Sequence, residues 1–182
     1  SDHRGNMRTF SLVSAPHEAV LKIAMRIRNS VFKRVLKSME QEVELCIEGP
    51  YGSFGLHRKA ERPAVFLSGG IGITPLYSMI LGATWRKLDN KIILFFSNHT
   101  PSDTPFLLEL QNLQKQNPNF TLVATMTEME NSNQVWEGDR GRIDANLVQK
   151  YLPKDTSPIY YLTGPQAMVE AMRELLNKMN VD

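Results

Sequence analysis

Three glycines within four positions, Gly69, Gly70 and Gly72, interrupt an otherwise apolar stretch between Ala64 and Trp85. Residues without a Cβ let a backbone turn sharply and approach a ligand closely. Ala64-Val65-Phe66-Leu67 leads into the turn from Ser68 to Pro75, and Leu76-Tyr77-Ser78-Met79-Ile80-Leu81 follows with apolar residues at helical spacing. The pattern predicts a strand, a glycine turn and a helix, with Thr74 as cap and Pro75 at the first helical position. Unpaired N–H groups at such a helix start favour an anion, and phosphate is the commonest guest. A tight βα turn in an ordinary α/β domain carries the same residue types, so the turn alone leaves its ligand open. The stretch has no charged residue, but three glycines and a proline within its first twelve residues, with Ser, Thr and Tyr interleaved, argue against a membrane span.

A second candidate lies upstream. Between Arg26 and Lys37 stand five basic residues (Arg26, Arg28, Lys33, Arg34, Lys37) and no acid. With Asn29 or Ser30 capping a helix whose apolar face is Val31, Val35, Leu36 and Met39, the amino terminus and its cations suit a diphosphate. A solvated basic face is the plainer account of the same residues.

The chain that must position these groups has 182 residues, 42% hydrophobic and 22% charged, as in a soluble globular protein of one or two domains. A net charge of +2 gives no argument for nucleic acid. One cysteine, Cys46, allows no internal disulfide and no cysteine-based metal cluster, and it is expected to be a small apolar packing residue inside a strand. His3, His17, His57 and His99 lack ligand spacing, so no metal is expected. No signal peptide is legible, which makes the cytoplasm the expected location.

Along the chain, Ser1 to Asn6 is polar and is expected to lack regular structure. Strands are predicted at Met7–Ser14, Val20–Ile27 and Val43–Glu48, with a turn-rich corner at Gly49-Pro50-Tyr51-Gly52-Ser53-Phe54. The charged stretch from His57 to Pro63 reads as a domain linker. Beyond it strands and helices alternate: Lys91–Phe96, Phe120–Thr125 and Ile159–Leu162 are strands, and Thr104–Gln116, a short helix from Asp144 to Tyr151, and Gln166–Met179 are helices. Trp136 to Ile143 reads as a loop. The stripe Met168, Met172, Leu175, Leu176, Met179 is expected to be core. Such alternation implies a parallel sheet with helices on both faces and ligands beyond the carboxyl ends of its strands. The loops Ser68–Pro75, Ser97–Pro105 and Thr163–Gln166 are therefore expected on one rim.

In this order the segments resemble the ferredoxin-NADP reductase family, in which a flavin-binding β-barrel precedes a nicotinamide-nucleotide domain. Arg8-Thr9-Phe10-Ser11 is similar to the family's Arg-x-Tyr-Ser flavin motif, and Ser30-Val31-Phe32-Lys33 to its flavin-diphosphate helix. Gly49-Pro50-Tyr51-Gly52 resembles its barrel corner, Gly69 to Pro75 its nucleotide turn, and Thr163-Gly164-Pro165 its Cys-Gly-Pro. The resemblance implies an α/β plus β fold: a partial antiparallel FAD-type barrel over residues 1–58, then a five-stranded parallel Rossmann-like sheet with helices on both faces over residues 59–182.

The resemblance also implies FAD and NAD(P)H as cofactors and an NAD(P)H-dependent flavoprotein reductase. Electrons would pass to a ferredoxin-like protein or a small-molecule acceptor. Phe10 would pack on the flavin ring, Arg8 would neutralise the flavin diphosphate, and Ser11 and Thr163 would stand at the hydride-transfer site. Leu12, Ser30, Val31, Phe32 and Lys33 complete the expected flavin contacts. Gly69, Gly70, Gly72, Ile73, Thr74 and Pro75 would take the dinucleotide pyrophosphate, Thr74 also reaching toward the flavin. Thr163, Gly164 and Pro165 would face the nicotinamide, Met168 would be a further cofactor contact, and Asn98 and His99 would meet the adenosine ribose. An arginine at that ribose favours NADP and an acid NAD; His99, with Asp103 nearby, leans to NADH.

Phe10 stands where the family has Tyr, and Thr163 where it often has Cys. The family barrel has six strands and three are legible here; at the other end, family members usually continue to one more strand and an aromatic residue near the flavin. The chain is accordingly expected to be a fragment that binds flavin poorly by itself. The alternative is a non-catalytic nucleotide- or partner-binding module of the same fold.

Overall fold

The computed structural model describes residues 7–27, 30–40, 42–153 and 155–181. The expectations for Ser1 to Asn6, Arg28 and Asn29 lie outside the described residues. Five parallel strands form one sheet: β1 (Ala64–Gly69), β2 (Ile92–Asn98), β3 (Phe120–Met126), β4 (Asp139–Arg140) and β5 (Ile159–Thr163), in the order β4-β3-β2-β1-β5. The helices are α1 (Val31–Ser38), α2 (Thr74–Trp85), α3 (Leu107–Gln116), α4 (Ala145–Tyr151) and α5 (Gln166–Lys178).

Side chains alternate across the sheet with the two-residue period of a strand, and both faces are covered. Ala64, Phe66, Ile92, Leu94 and Phe96 pack with Ile73, Leu76 and Ile80 and with Leu110 and Leu113 of α3. Val65, Leu67, Ile93 and Phe95 pack on the other face with Val148 of α4 and Met172 and Leu176 of α5. The methionine stripe of α5 is core, as its spacing predicts. Asp144 caps α4, its Oδ1 accepting from the Leu147 N–H at 2.8 Å. Ser30 caps α1, its Oγ accepting from the Lys33 N–H at 3.4 Å.

Four expectations are corrected. The segment Trp136–Ile143 is not all loop: it contains β4, which pairs with β3 through Thr125–Asp139 and Met126–Arg140. This edge strand is two charged residues long and carries no apolar pattern to read. The helix expected from Thr104 starts at Leu107, because Pro101–Asp103 forms a separate 3-10 turn and Phe106 takes a left-handed φ of 59°.

The three amino-terminal segments expected as strands form no ladder among the described residues. Their pairing is a single antiparallel bridge, Leu12 to Ile23, with the Val13 N–H donating to the Lys22 carbonyl at 2.8 Å. A strand is stabilised by its partners' hydrogen bonds, and Val43–Glu48 has no partner strand among the described residues. Cys46 is exposed there and is not a packing residue. The stretch from His57 to Pro63, read as a linker, lies against the sheet. The His57 N–H donates to the Tyr161 hydroxyl at 2.9 Å, the Asn90 amide donates to the His57 carbonyl at 3.2 Å, and Arg62 donates to the carbonyls of Ser157 and Pro158 at 2.6 and 3.1 Å.

Candidate functional site

β2, β1 and β5 are neighbours and parallel, so the loops that leave them lie at the same carboxyl edge. After β1 the chain takes a 3-10 turn, Gly70–Ile73, directly into α2. Gly70 has φ +55°, a left-handed conformation that a side chain strains. Thr74 is not the cap expected of it: its φ of −50° and ψ of −51° are helical, whereas a capping residue must be extended to turn its oxygen back on the first N–H groups. Its side chain is buried at 6% exposure, and Ile73 is fully buried in the core, so Ile73 can offer a ligand only its main chain.

The turn after β5 is packed against this first turn. A Cβ on Gly72 would stand 2.5 Å from the Gly164 nitrogen and 2.6 Å from its Cα. Gly164, at φ +145°, would itself meet the Gly69 backbone at 3.2 Å, and a Cβ on Gly69 would overlap the Met168 sulfur at 2.3 Å. Thr163 donates from Oγ1 to the Ser68 Oγ at 3.0 Å. Gly69, Gly72, Thr163, Gly164 and Met168 therefore form one close-packed unit; Pro165, exposed, and Pro75, half-buried, flank it.

Beside it, the end of β2 is tied to the end of β3. The N–H groups of Thr127 and Glu128 donate to the carbonyls of Asn98 and His99, each at 2.9 Å. His99 Nδ1 stands 2.7 Å from Glu128 Oε1. The Asn98 side chain is 6% exposed, and neither its amide nitrogen nor its oxygen has a partner. Buried polar atoms are almost always paired, so this amide is suited to a ligand or water. Asp103 is held by Thr100, whose Oγ1 donates to Oδ2 at 3.2 Å. Alongside, a cleft of ≈ 580 Å³ is lined by Thr127, Met129, Glu130, Trp136 and Arg140.

The amino-terminal candidates gather separately. Phe10 and Phe32 stack with centroids 6.0 Å apart, and the Arg8 guanidinium lies 5.1 Å over the Phe32 ring. Ser30 caps α1, and Lys33 Nζ donates to the Arg26 carbonyl. Ser11 and Val31 are exposed, and Leu12 is half-buried at its bridge to Ile23. One contact joins this group to the glycine turn: the Arg26 guanidinium nitrogen lies 3.6 Å from where a Cβ on Gly70 would stand. Among the described residues no cluster of His, Cys, Asp and Glu could hold a metal ion, and no helix is long and apolar enough to cross a membrane.

Sequence reasoning missed Glu128 and Ser68. Glu128 is 29 residues from His99, and the signal that finds it is sheet adjacency: in a parallel register that pairs Asn98 with Met126, the residues after each strand meet. Ser68 is buried within an apolar strand and becomes visible only once β5 lies beside β1.

Comparison with known proteins agrees with this architecture. The chain is 25% identical to one component of the Na(+)-translocating NADH-quinone reductase of Pseudoalteromonas atlantica, over 97% of the chain and 46% of that protein. It is 31% identical to the electron transfer component of xylene/toluene monooxygenase of Pseudomonas putida, over 75% of the chain and 38% of that protein. The chain thus spans about half or less of the length of these relatives. Among solved structures, a ferredoxin NADP+ reductase from Neisseria gonorrhoeae matches with a TM-score of 0.75 at 21% identity, over 94% of the chain and 72% of that protein. The FAD/NAD-binding domain of a nitric oxide dioxygenase from Vibrio cholerae matches with a TM-score of 0.76 at 19% identity, over 96% of the chain and 73% of that domain. The likeness in fold therefore runs through the amino-terminal segment as well as the sheet, in keeping with the α/β plus β fold class. A family model for the oxidoreductase NAD-binding domain matches residues 66–174, and the chain belongs to that family.

Proposed function

We propose that this chain is the nicotinamide-nucleotide part, with adjoining flavin contacts, of a flavin-dependent oxidoreductase that takes hydride from NADH and passes electrons to a protein or small-molecule acceptor. The observation that carries the reading is the packed unit of Gly69, Gly72 and Gly164 with Thr163 bonded to Ser68. Its glycines let the turns after β1 and β5 close on each other backbone to backbone, at the strand ends where such sheets bind ligands. The buried, unpartnered Asn98 amide beside it supports the fit, since a ribose or phosphate oxygen satisfies it. FAD, when bound, supplies the change from two-electron to one-electron transfer. Arg8 would offset the charge of its diphosphate, Ser30 and Lys33 would add donors at the start of α1, and Phe10 would cover its ring. Thr163 would be oriented by Ser68, and Ser11 would stand free to donate a hydrogen bond.

Nucleotide choice is assigned to the Glu128–His99 pair. A 2′-phosphate on the adenosine ribose would be brought against the Glu128 carboxylate, whereas a 2′-hydroxyl could donate to it. The adjacent cleft is large enough for a nucleoside, with Trp136 available to an adenine face. The domain division at residue 58, the ferredoxin-like acceptor and a cytoplasmic location belong to the same reading.

The test is made on the purified chain. Bound flavin is read from its visible absorbance after incubation with FAD, and reduction of the supplied FAD is followed with NADH and with NADPH. The reading expects NADH to bind and to be the better donor. A chain that binds neither nucleotide and leaves FAD oxidised refutes it.

A further inference from the structure

We propose that the cleft at the far end of α2 binds a small planar aromatic molecule that carries a carboxylate. The cleft has a volume of ≈ 460 Å³ and lies between the end of α2 and the turn that joins α3 to β3, with His17, Leu81, Trp85, Lys87 and Leu113 among its walls. Because α2 links the parallel strands β1 and β2, it carries the chain back from the carboxyl edge of the sheet to the amino edge. The cleft therefore stands opposite the glycine turns, and the inference is independent of the nucleotide and flavin readings.

The floor of the cleft is already cross-linked. Thr84 Oγ1 donates to the Ile80 carbonyl at 2.8 Å and accepts from Asn117 Nδ2 at 3.0 Å. Asn117 Oδ1 accepts from the Asn119 N–H at 2.9 Å, and Asn119 Nδ2 donates to the Leu88 carbonyl at 3.3 Å. These groups satisfy one another and fix the shape of the cleft, which leaves its apolar walls and Lys87 for a ligand. Trp85 is stacked on His17, the rings 4.4 Å apart and 3° from parallel, and is still 62% exposed. An indole held in place offers a flat surface at little cost in rotamer freedom.

The position of Lys87 is the second observation. At the end of α2 the Leu88 N–H donates to the Ala83 carbonyl at 3.0 Å and the Lys87 N–H to the Thr84 carbonyl at 3.1 Å, the pattern of a Schellman motif. That motif gives Lys87 a left-handed φ of 51°, at the place a glycine ordinarily fills because a Cβ is strained there. Here the place holds a lysine, and the lysine lines the cleft. Lys87 forms no ion pair among the described residues, and among them no Asp or Glu lines the cleft. An anionic group beside Lys87 and a flat apolar group beside Trp85 thus complement the site, and its volume is ample for two fused rings.

The experiment is calorimetric titration of the chain with 2-naphthoate, with ADP-ribose and FAD present in excess so that neither candidate cofactor site is open to the probe. One site per chain is expected. Lys87→Gly should weaken 2-naphthoate roughly 5–10-fold without lowering the melting temperature, since glycine is the unstrained residue at that position. A lysine with a merely structural role would not separate affinity from stability in this way. The uncharged 2-naphthamide should bind the parent chain more weakly by a similar factor and should not distinguish it from Lys87→Gly. Trp85→Ala should remove most of the affinity, and Trp85→Phe should recover part of it. Failure of the parent chain to bind 2-naphthoate overturns the inference, as does unchanged affinity in both Lys87→Gly and Trp85→Ala, which would place the probe elsewhere. Equal affinity for 2-naphthamide refutes the anionic ligand. Preference for an acidic tetrapeptide with a central tryptophan would make the cleft a peptide-docking groove and would refute the small-molecule assignment.

Discussion

Replacing Gly72 by alanine tests the packed unit at the rim most directly. The added Cβ would stand 2.5 Å from the Gly164 nitrogen, 2.6 Å from its Cα and 3.0 Å from the Thr163 carbonyl carbon. All three are backbone atoms, so no side chain can swing aside, and the turns after β1 and β5 must separate by several tenths of an ångström. Overpacking of this kind costs typically 1–3 kcal/mol. For a chain of this size that is a fall of roughly 3–10 °C in melting temperature. Separating the turns also stretches the Thr163–Ser68 hydrogen bond, so ADP-ribose affinity should fall with stability. Gly69→Ala is the control that isolates the cause: its nearest neighbour, at 2.3 Å, is the sulfur of Met168, whose flexible side chain can rotate away. Thermal unfolding by circular dichroism and ADP-ribose titration should therefore rank Gly72→Ala well below Gly69→Ala. Equal melting temperatures for Gly72→Ala and the parent would refute the claim that the two turns are in contact.

Glu128→Arg should shift donor preference toward NADPH by about tenfold or more in the ratio of kcat/KM values, the scale of adding one charge-assisted hydrogen bond and removing one repulsion. Asp144→Ala removes the cap of α4 and should cost about 1 kcal/mol, read as a lower urea midpoint with an unchanged slope. His57 gives a pH dependence: burial first, then the nearby Arg62 cation, hold its pKa below the usual 6.5, and both ring nitrogens are buried without a partner. The unfolded chain therefore takes up that proton first as acid is added, so stability present above pH 6.5 is lost as pH falls toward the folded-state pKa. His57→Leu should flatten that part of the stability profile measured by urea unfolding.

The central strands were legible because β1 and β2 are buried on both faces and read as unbroken apolar runs. β4 was not, because two charged residues carry no period. It is held by its pairing to β3, by Thr125 Oγ1 donating to the Gly141 carbonyl at 2.6 Å, and by Trp136 Nε1 donating to the Asp139 carbonyl at 2.9 Å. The glycine turn was found from its residue types, yet its detailed geometry was not. A threonine before a proline signals a cap only if the chain enters the helix extended, and here a 3-10 turn precedes it. Alternation along Val20–Ile27 and Val43–Glu48 was real as a pattern, but a ladder depends on what lies alongside, which no residue within the segment records. Glu128 escaped for the same reason: it is brought to His99 by the arrangement of strands and sits in no motif.

That arrangement explains why α2 is apolar nearly all round. One face lies on the sheet through Leu76, Ile80 and Ala83. The opposite face receives the segment that follows Phe10, through Ser78, Gly82 and Trp85, spaced at i, i+4 and i+7. Ser78 Oγ donates to the Ser14 carbonyl at 2.7 Å, Ala15 and Pro16 lie 3.8 Å from where a Cβ on Gly82 would stand, and Trp85 stacks on His17 at 4.4 Å. Val13 and Ala15 are buried against this stripe, whereas Val20, Leu21 and Ile27 beyond it are exposed. The helix that begins at the glycine turn is thus the element against which the segment after Phe10 is packed. Residues Ser14 to His17 are held on α2, whereas Arg8 and Phe10, a few residues earlier, contact Phe32. The two groups of candidate residues meet where Arg26 lies over Gly70.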